Sequence, residues 1–167
     1  MLIRPEERKD HAAVRILNTS AFETPVEANL VDALRIQAQP FISLVAEDDG
    51  AIVGHIMFTP VLLSGHPSLR IMGLGPMAVD PKQQRKGIGS ALVRAGLEQC
   101  EKLGFGGVVV LGHSDYYPRF GFSPSTGFGI VCEYEVPEEL FMVLELQAGY
   151  LHDVSGTIKY NAAFSNV

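Results

Sequence analysis

The stretch of residues 69–103 reads LRIMGLGPMAVDPKQQRKGIGSALVRAGLEQCEKL, and the interpretation of the whole chain works outward from it. Its first part, up to Val79, predicts a strand, and the glycines and proline inside it are typical of a bulge or of a close approach by a ligand. Its second part predicts a helix from about Gln84 to Leu103, because apolar residues recur at spacings of three and four. The helix start, Gln84-Arg85-Lys86-Gly87-Ile88-Gly89, combines glycines with basic residues.

This helix start has the chemistry of an anion site. The first turn of a helix carries unpaired N–H groups and the positive end of the helix dipole. Gly87 and Gly89 leave that backbone accessible, and Arg85 and Lys86 add positive charge, so the pattern favours a phosphate or pyrophosphate. The spacing matches neither the P-loop pattern nor the dinucleotide fingerprint. The alternative is a solvent-exposed basic helix start with two packing glycines.

Composition limits the class of protein. A chain of 167 residues that is 47% hydrophobic predicts one domain covering residues 1–167. The net charge of −6 argues against a nucleic-acid partner. Cys100 and Cys132 have no metal-ligand spacing, so no metal site or disulfide framework is predicted. No apolar run approaches the ~20 residues of a membrane span, and the N-terminus lacks a signal core, which predicts a cytoplasmic protein without membrane association.

The rest of the chain supplies a scaffold of strands and helices. Asp10 is predicted to cap a helix over 11–21, and Thr24 with Glu27 forms a capping box for a second helix ended by Pro40. Asp48-Asp49-Gly50 predicts a hairpin turn, and 64–68 a loop. Strands are predicted over 1–5, 41–47, 51–63, 69–79, 107–111, 141–146 and 156–160. The fold class is therefore α/β, with a mixed, mostly antiparallel central sheet of about six to eight strands and helices on both faces.

Two motifs in this order resemble those of a known family. Met77-Ala78-Val79-Asp80-Pro81, followed by Gln84-Arg85-Lys86-Gly87-Ile88-Gly89-Ser90-Ala91-Leu92, resembles the acetyl-CoA motif Q/R-x-x-G-x-G/A of the GNAT superfamily of N-acetyltransferases. Downstream, Leu103-Gly104-Phe105 and then Tyr117-Pro118-Arg119-Phe120-Gly121-Phe122 resemble the family's Y-x-x-x-G-F signature. The order of elements agrees from Ile3 to about Phe122, and beyond that the resemblance is loose.

The resemblance implies a GNAT-type fold and a donor. Acetyl-CoA would be the cosubstrate, without a metal, and its acetyl group would pass directly, in a ternary complex, to a primary amine of a small molecule or peptide. A CoA-binding regulatory module without transferase activity, or an enzyme with a longer acyl donor, is the alternative. In the family, pantetheine pairs with the strand backbone, and the helix start holds the pyrophosphate. The corresponding residues are Met77, Ala78, Val79, Gln84, Arg85, Lys86, Gly87, Ile88, Gly89 and Ser90.

The resemblance also points to a general acid. Tyr117 stands four residues before Gly121, where the family places the tyrosine that protonates the departing thiolate of CoA. The adjacent Tyr116 is the other candidate, and the alternative is that both are packing tyrosines.

The general base is less defined. Residues 70–79 contain no carboxylate, although many family members use a glutamate from the central strands. His113 is a candidate base, with a surface or structural histidine as the alternative. His55 can face either side of its strand, and a water chain can replace a base altogether.

Strand 141–146 either pairs between two protomers, giving a homodimer, or completes the sheet.

Overall fold

The computed structural model describes the backbone of all 167 residues and every side chain except that of Asn166. Within this described chain, none of the helices combines the length and the apolar character that crossing a membrane requires. The helices are His11–Phe22 (α1), Val26–Gln37 (α2) and Ile88–Lys102 (α3). The strands are Leu2–Pro5 (β1), Ile42–Asp48 (β2), Ala51–Leu63 (β3), His66–Val79 (β4), Gly107–Leu111 (β5), Ser123–Pro124 (β6), Ile130–Cys132 (β7), Phe141–Glu145 (β8) and Gly156–Lys159 (β9).

The elements agree closely with the prediction, with three corrections. All seven predicted strands are present, but the described backbone holds nine, since β6 and β7 add strands of two and three residues. The predicted loop 64–68 is shorter, because β4 already begins at His66. The helix predicted from Gln84 begins later, as described below.

Two caps also differ from the prediction. Asp10 does not cap α1, because its carboxylate accepts hydrogen bonds from the Arg4 guanidinium and from the Glu7 N–H. The bond from Arg4, together with that N–H, lowers the pKa of Asp10 to about 2. The second helix begins one residue after the predicted position, yet the Thr24 hydroxyl still donates to Glu27 Oε1 over 3.1 Å.

The chain folds into two compact units. The first contains Met1–Thr59, Gly75–Gln99 and Asn161–Val167, and the second contains Pro60–Leu74 and Cys100–Tyr160. In the first unit β1 pairs antiparallel with β2, and β2 pairs antiparallel with β3. The hairpin turn predicted between β2 and β3 is present, with positive φ at Asp49 and Gly50.

Helices cover both faces of the sheet in the first unit, as predicted. Successive strand residues point to opposite faces, so Gly54 and Met57 on β3 face opposite sides. Met57 and Val45 pack in a core with residues of α1 and α2. On the other face, a Cβ added at Gly54 would lie 2.8 Å from Ile88 and 2.9 Å from Leu92 of α3. The absence of a side chain at Gly54 therefore lets α3 approach β3 closely.

A second glycine in this contact provides a stability test. A Cβ at Gly96 of α3 would come within 3.0 Å of the Phe58 ring, which is fully buried. Alanine raises helix propensity by about 1 kcal/mol, but overpacking a rigid core costs about 1–3 kcal/mol. We expect Gly96→Ala to lower the free energy of unfolding in urea titrations. Gln99→Ala, an exposed change on the same helix, is the control and should stay within about 0.5 kcal/mol of the parent.

The second unit is built on a parallel pair. The register of β4 and β5 is parallel, from Ile71 opposite Gly107 to Leu74 opposite Val110. Parallel neighbours need a crossover, and the chain between β4 and β5 contains α3. On its other side β5 pairs antiparallel with β8, which also pairs with β6. The segment 141–145 therefore completes the sheet, the second of the two alternatives.

The C-terminal strands close the core of the second unit. β9 pairs antiparallel with the end of β3 and parallel with β7. Where the register of a strand pair is described, β4–β5 and β7–β9 are parallel and the others antiparallel, which confirms a mixed, mostly antiparallel arrangement. The core residues are Val61, Leu63, Ile71, Val109, Ile130, Phe141, Val143, Leu151 and Ile158.

Candidate active site

The predicted start of the helix is a loop. Gln84 is extended, with φ −67° and ψ 156°. Arg85 and Gly87 both have positive φ, 67° and 82°. A right-handed helix excludes positive φ, so α3 begins at Ile88 and the predicted start at Gln84 is four residues too early. The correction moves Gln84, Arg85 and Gly87 from the helix into the turn that precedes it.

This turn exposes main-chain donors. The N–H of Ala91 donates to the carbonyl of Gly87 over 3.0 Å, so the N–H groups of Ile88 and Gly89 have no acceptor within the helix. A Cβ at Gly87 would meet nothing within 4 Å, so the backbone there is open. Left-handed residues alternating with right-handed ones form concave clusters of N–H groups that bind anions. The local geometry therefore suits an anion.

Polar and charged side chains surround these donors. Arg85 and Lys86 are exposed, and Lys86 Nζ donates to Gln83 Oε1 over 3.0 Å. Gln84 Nε2 donates to the carbonyl of Val79 over 3.4 Å, which ties the turn to the end of β4. Two cationic groups thus lie within a few residues of the open N–H groups.

At the end of β4, the groups that can recognise a ligand are those of the backbone rather than the side chains. The parallel ladder with β5 covers residues 71–74, and β4 continues beyond it to Val79. Ala78 is buried, while Met77 and Val79 are half-buried. Since these side chains are apolar, specific recognition by this segment has to come from its backbone.

Tyr117 lies in a short 3₁₀ turn, Tyr117–Phe120, that follows β5 in the second unit. Its side chain is 7% exposed, and its ring contacts Tyr116 and Phe122 edge-on, at centroid distances of 5.1 and 5.8 Å. Burial, reinforced by Tyr116, raises the pKa of Tyr117 to about 12. The phenol is therefore protonated at neutral pH, as a proton donor must be.

The neighbours of Tyr117 differ in exposure. Tyr116 is half-buried beneath the Arg119 guanidinium, whose carbon lies 4.4 Å from the ring centroid, and Arg119 Nε donates to the Tyr116 carbonyl. The His113 side chain is exposed, and its carbonyl accepts the N–H groups of Tyr116 and Tyr117. The structure thus brings His113, Tyr116 and Tyr117 together in one turn.

A buried network of side-chain hydrogen bonds in the first unit was not predicted. His55, fully buried, lies 2.8 Å from Ser43 Oγ through Nε2 and 3.4 Å from Asn18 Nδ2 through Nδ1. Since Ser43 donates its hydroxyl proton to Glu6, Nε2 of His55 carries the hydrogen and Nδ1 is the acceptor. Burial lowers the pKa of His55 to about 4, so the ring is neutral at pH 7. Strand alternation with Met57 is the signal that would have shown which way His55 faces.

An ion pair between Arg35 and Glu6 completes this hydrogen-bond network. Arg35 Nε and Nη2 donate to the two oxygens of Glu6 over 3.1 and 2.6 Å, a bidentate pair that is almost fully buried. Burial opposes ionisation of Glu6, but the hydrogen bonds from Arg35, with His55 and Ser43, lower its pKa below the ordinary value. Among the described side chains, no group of three or more His, Cys, Asp or Glu residues is placed to hold a metal ion.

Comparison with known proteins shows the family. The family model for the acetyltransferase (GNAT) family matches residues 11–122. The chain belongs to the GNAT acetyltransferase family. This GNAT protein is 35% identical to the uncharacterized N-acetyltransferase YhbS of Escherichia coli strain K12 over 166 residues, 99% of each chain. The resemblance drawn from the two motifs is thereby confirmed, and the similarity continues beyond Phe122, where the motifs end.

Solved structures confirm the GNAT fold. The crystal structure of YhbS from E. coli in complex with CoA has a TM-score of 0.92 at 34% identity, covering 98% of this chain and 91% of that one. A GNAT family acetyltransferase from Brucella melitensis in complex with acetyl-CoA has a TM-score of 0.81 at 37% identity, covering 98% of this chain and 97% of that one.

Proposed function

We propose that this protein transfers the acetyl group of acetyl-CoA to a primary amine by direct transfer in a ternary complex, and that residues 1–167 act as one acetyltransferase domain. The observation that carries the proposal is similarity over 98% of the chain to two GNAT proteins crystallised with CoA or acetyl-CoA. Those two proteins bind CoA or acetyl-CoA and share the fold of this chain. Transfer of an acetyl group from acetyl-CoA is therefore the activity that the fold supports best.

The donor-binding residues follow the two segments of the first unit. The N–H groups from Arg85 to Ser90, together with the Gln84 side chain, hold the pyrophosphate, and Arg85 and Lys86 add positive charge beside it. The backbone of Met77, Ala78 and Val79 pairs with the amides of pantetheine like an added strand. This role is supported by the apolar side chains of these three residues, which leave recognition to the main chain.

Tyr117 is the general acid. After the amine attacks the thioester carbonyl, the tetrahedral intermediate reforms the carbonyl and breaks its C–S bond. The Tyr117 phenol protonates the departing sulfur as that bond breaks, the nitrogen of the new amide releases a proton to solvent water, and the phenolate takes a proton back from solvent. His113, whose side chain is exposed to solvent, is the candidate base for the ammonium form of the acceptor, and solvent water can relay that proton.

Calorimetry and a thiol-release assay test the donor half. CoA is expected to bind, and the double variant Arg85→Gln/Lys86→Gln is expected to weaken binding by about two- to thirtyfold, since each of the two exposed charges contributes about 0.2–1 kcal/mol. Lys159→Gln, an exposed lysine on β9, is the control and should leave the affinity unchanged. A protein with no affinity for CoA would contradict the proposal. CoA binding without thiol release, across a broad panel of amines and acyl donors, would identify a binding module instead.

A further inference from the structure

Gly112 and Tyr117 are in unusually close contact. Gly112 follows β5, and its N–H donates to the Leu140 carbonyl over 2.9 Å, so its backbone is held in place. A Cβ built on Gly112 would lie 3.1 Å from Cδ2 and 3.4 Å from Cζ of Tyr117, and still closer to Cε2, inside the 3.0 Å limit that real Cβ atoms observe. The Tyr117 ring thus occupies the space of the missing side chain.

The backbone does not explain this glycine. The φ of Gly112 is not positive, so the φ angle does not by itself require glycine here. Proximity to the Tyr117 ring is the steric reason for glycine at this position. Gly112 therefore differs from Gly121, whose φ of 100° requires glycine for conformational reasons.

The Tyr117 ring has little freedom to move away from Gly112. The rings of Tyr116 and Phe122 contact it edge-on, and the backbone N–H of Tyr117 donates to the His113 carbonyl. A ring that is 7% exposed can shift only by displacing these groups. A side chain at residue 112 would therefore move the Tyr117 hydroxyl.

We propose that Gly112 is a positioning residue for acetyl transfer, because its missing Cβ fixes the Tyr117 ring and hence the hydroxyl that faces the departing sulfur. The proposal rests on the proposed function, in which Tyr117 is the general acid. Gly112 acts through Tyr117 and makes no contact of its own with the reacting atoms.

The other end of β5 provides a matched control. Gly106 immediately precedes β5, and it too lacks a positive φ. A Cβ on Gly106 would come inside 3.0 Å of the Tyr150 ring, whose hydroxyl accepts the Arg70 N–H over 2.7 Å. Gly106→Ala and Gly112→Ala thus press the same added atom against a tyrosine ring in the same unit, but Tyr150 has no assigned role in transfer.

The kinetic test compares the two full-length variants. Both are expected to be less stable in urea unfolding. Gly112→Ala is expected to lower kcat by about 100-fold, the effect of misplacing a reacting group by about 1 Å, with KM for acetyl-CoA unchanged. Gly106→Ala is expected to keep the parent kcat, and Gly112→Ala in a Tyr117→Phe background should cause no further loss. A parent-like kcat for Gly112→Ala overturns the proposal.

A second measurement is independent of turnover. Burial is what raises the pKa of Tyr117, so a ring displaced from its buried position should titrate at lower pH. Ultraviolet titration, with the Tyr117→Phe curve subtracted, should therefore show a lower pKa of the Tyr117 phenol in Gly112→Ala than in the parent, and no change in Gly106→Ala. An unshifted titration overturns the positioning role. Absence of transfer in the parent protein overturns the proposed function instead, and the titration then still reports whether Gly112 fixes the ring.

A further variant covers the case in which Gly112→Ala does not fold. Phe122→Leu loosens the Tyr117 ring from another side without adding atoms to the core. It is expected to lower kcat with an unchanged KM, and a parent-like kcat would overturn the proposal.

Discussion

Tyr117→Phe is expected to lower kcat for acetyl transfer by about 10²- to 10⁴-fold, the usual contribution of a positioned general acid. Phenylalanine keeps the edge-on ring contacts with Tyr116 and Phe122 and removes the phenolic proton that the proposed mechanism donates to the sulfur. The loss should therefore fall on kcat, with little change in the affinity for CoA. Steady-state thiol release gives kcat, and calorimetry gives the affinity for CoA.

Two tyrosine controls separate the acid role from packing. Tyr116→Phe tests the adjacent phenol and should leave kcat close to the parent value. Tyr134→Phe removes the hydroxyl of a ring stacked on Tyr160, in a part of the second unit that we assign no role in transfer. Parent-like turnover by Tyr117→Phe would count against the acid role, and a large loss in Tyr116→Phe instead would transfer that role to Tyr116.

Local sequence patterns predicted most of the elements, and every predicted strand has at least four residues, the length of β1 and β9. The exceptions have physical causes. β6 and β7, with two and three residues, are too short to show an alternation. The start of α3 was misplaced because Arg85 adopts a positive φ, which an arginine gives no reason to expect. Gly87 carried the usable signal, since glycine is favoured where φ is positive.

The turn at 84–90 and the surroundings of Tyr117 were predictable to different degrees. The turn at 84–90 is local, so its sequence alone indicated an anion site. The surroundings of Tyr117 depend on Gly112 and Phe122, and side-chain contacts of this kind have no periodicity to reveal them. The hydrogen-bond network from Glu6 through Ser43 to His55 joins residues far apart in sequence. Such contacts follow from strand register, which the sequence did not determine.

His55 leads to the second large prediction. Lowering the pH from 7 to 5 is expected to reduce the free energy of unfolding by about 2 kcal/mol through His55 alone. Burial lowers the pKa of His55 from 6.5 to about 4, with Glu6 opposing the shift and Arg35 adding to it. Between pH 6.5 and pH 4 the unfolded chain therefore binds a proton that the folded protein does not. Stability consequently falls as the pH falls through this window.

The geometry around His55 explains why the folded protein resists this proton. A proton on Nδ1 would point at the Asn18 amide nitrogen, 3.4 Å away, which is itself a donor. Asn18 cannot reverse its amide without turning its oxygen towards the Val14 carbonyl, to which Nδ2 now donates over 3.0 Å. Protonation thus places two donors face to face in a fully buried position.

Urea unfolding at pH 7 and pH 5 measures the effect. The pKa values of Glu6 and Asp10 are lowered below their ordinary values, so most of the stability that these two carboxylates contribute is lost below this interval. His55→Gln is expected to reduce the pH dependence by about 2 kcal/mol, whatever its stability at pH 7. His152→Gln, whose side chain is 78% exposed in the parent, should retain the parent dependence. Equal pH dependence in His55→Gln and the parent would show that the buried imidazole is not the group that titrates, because no other change separates the two proteins.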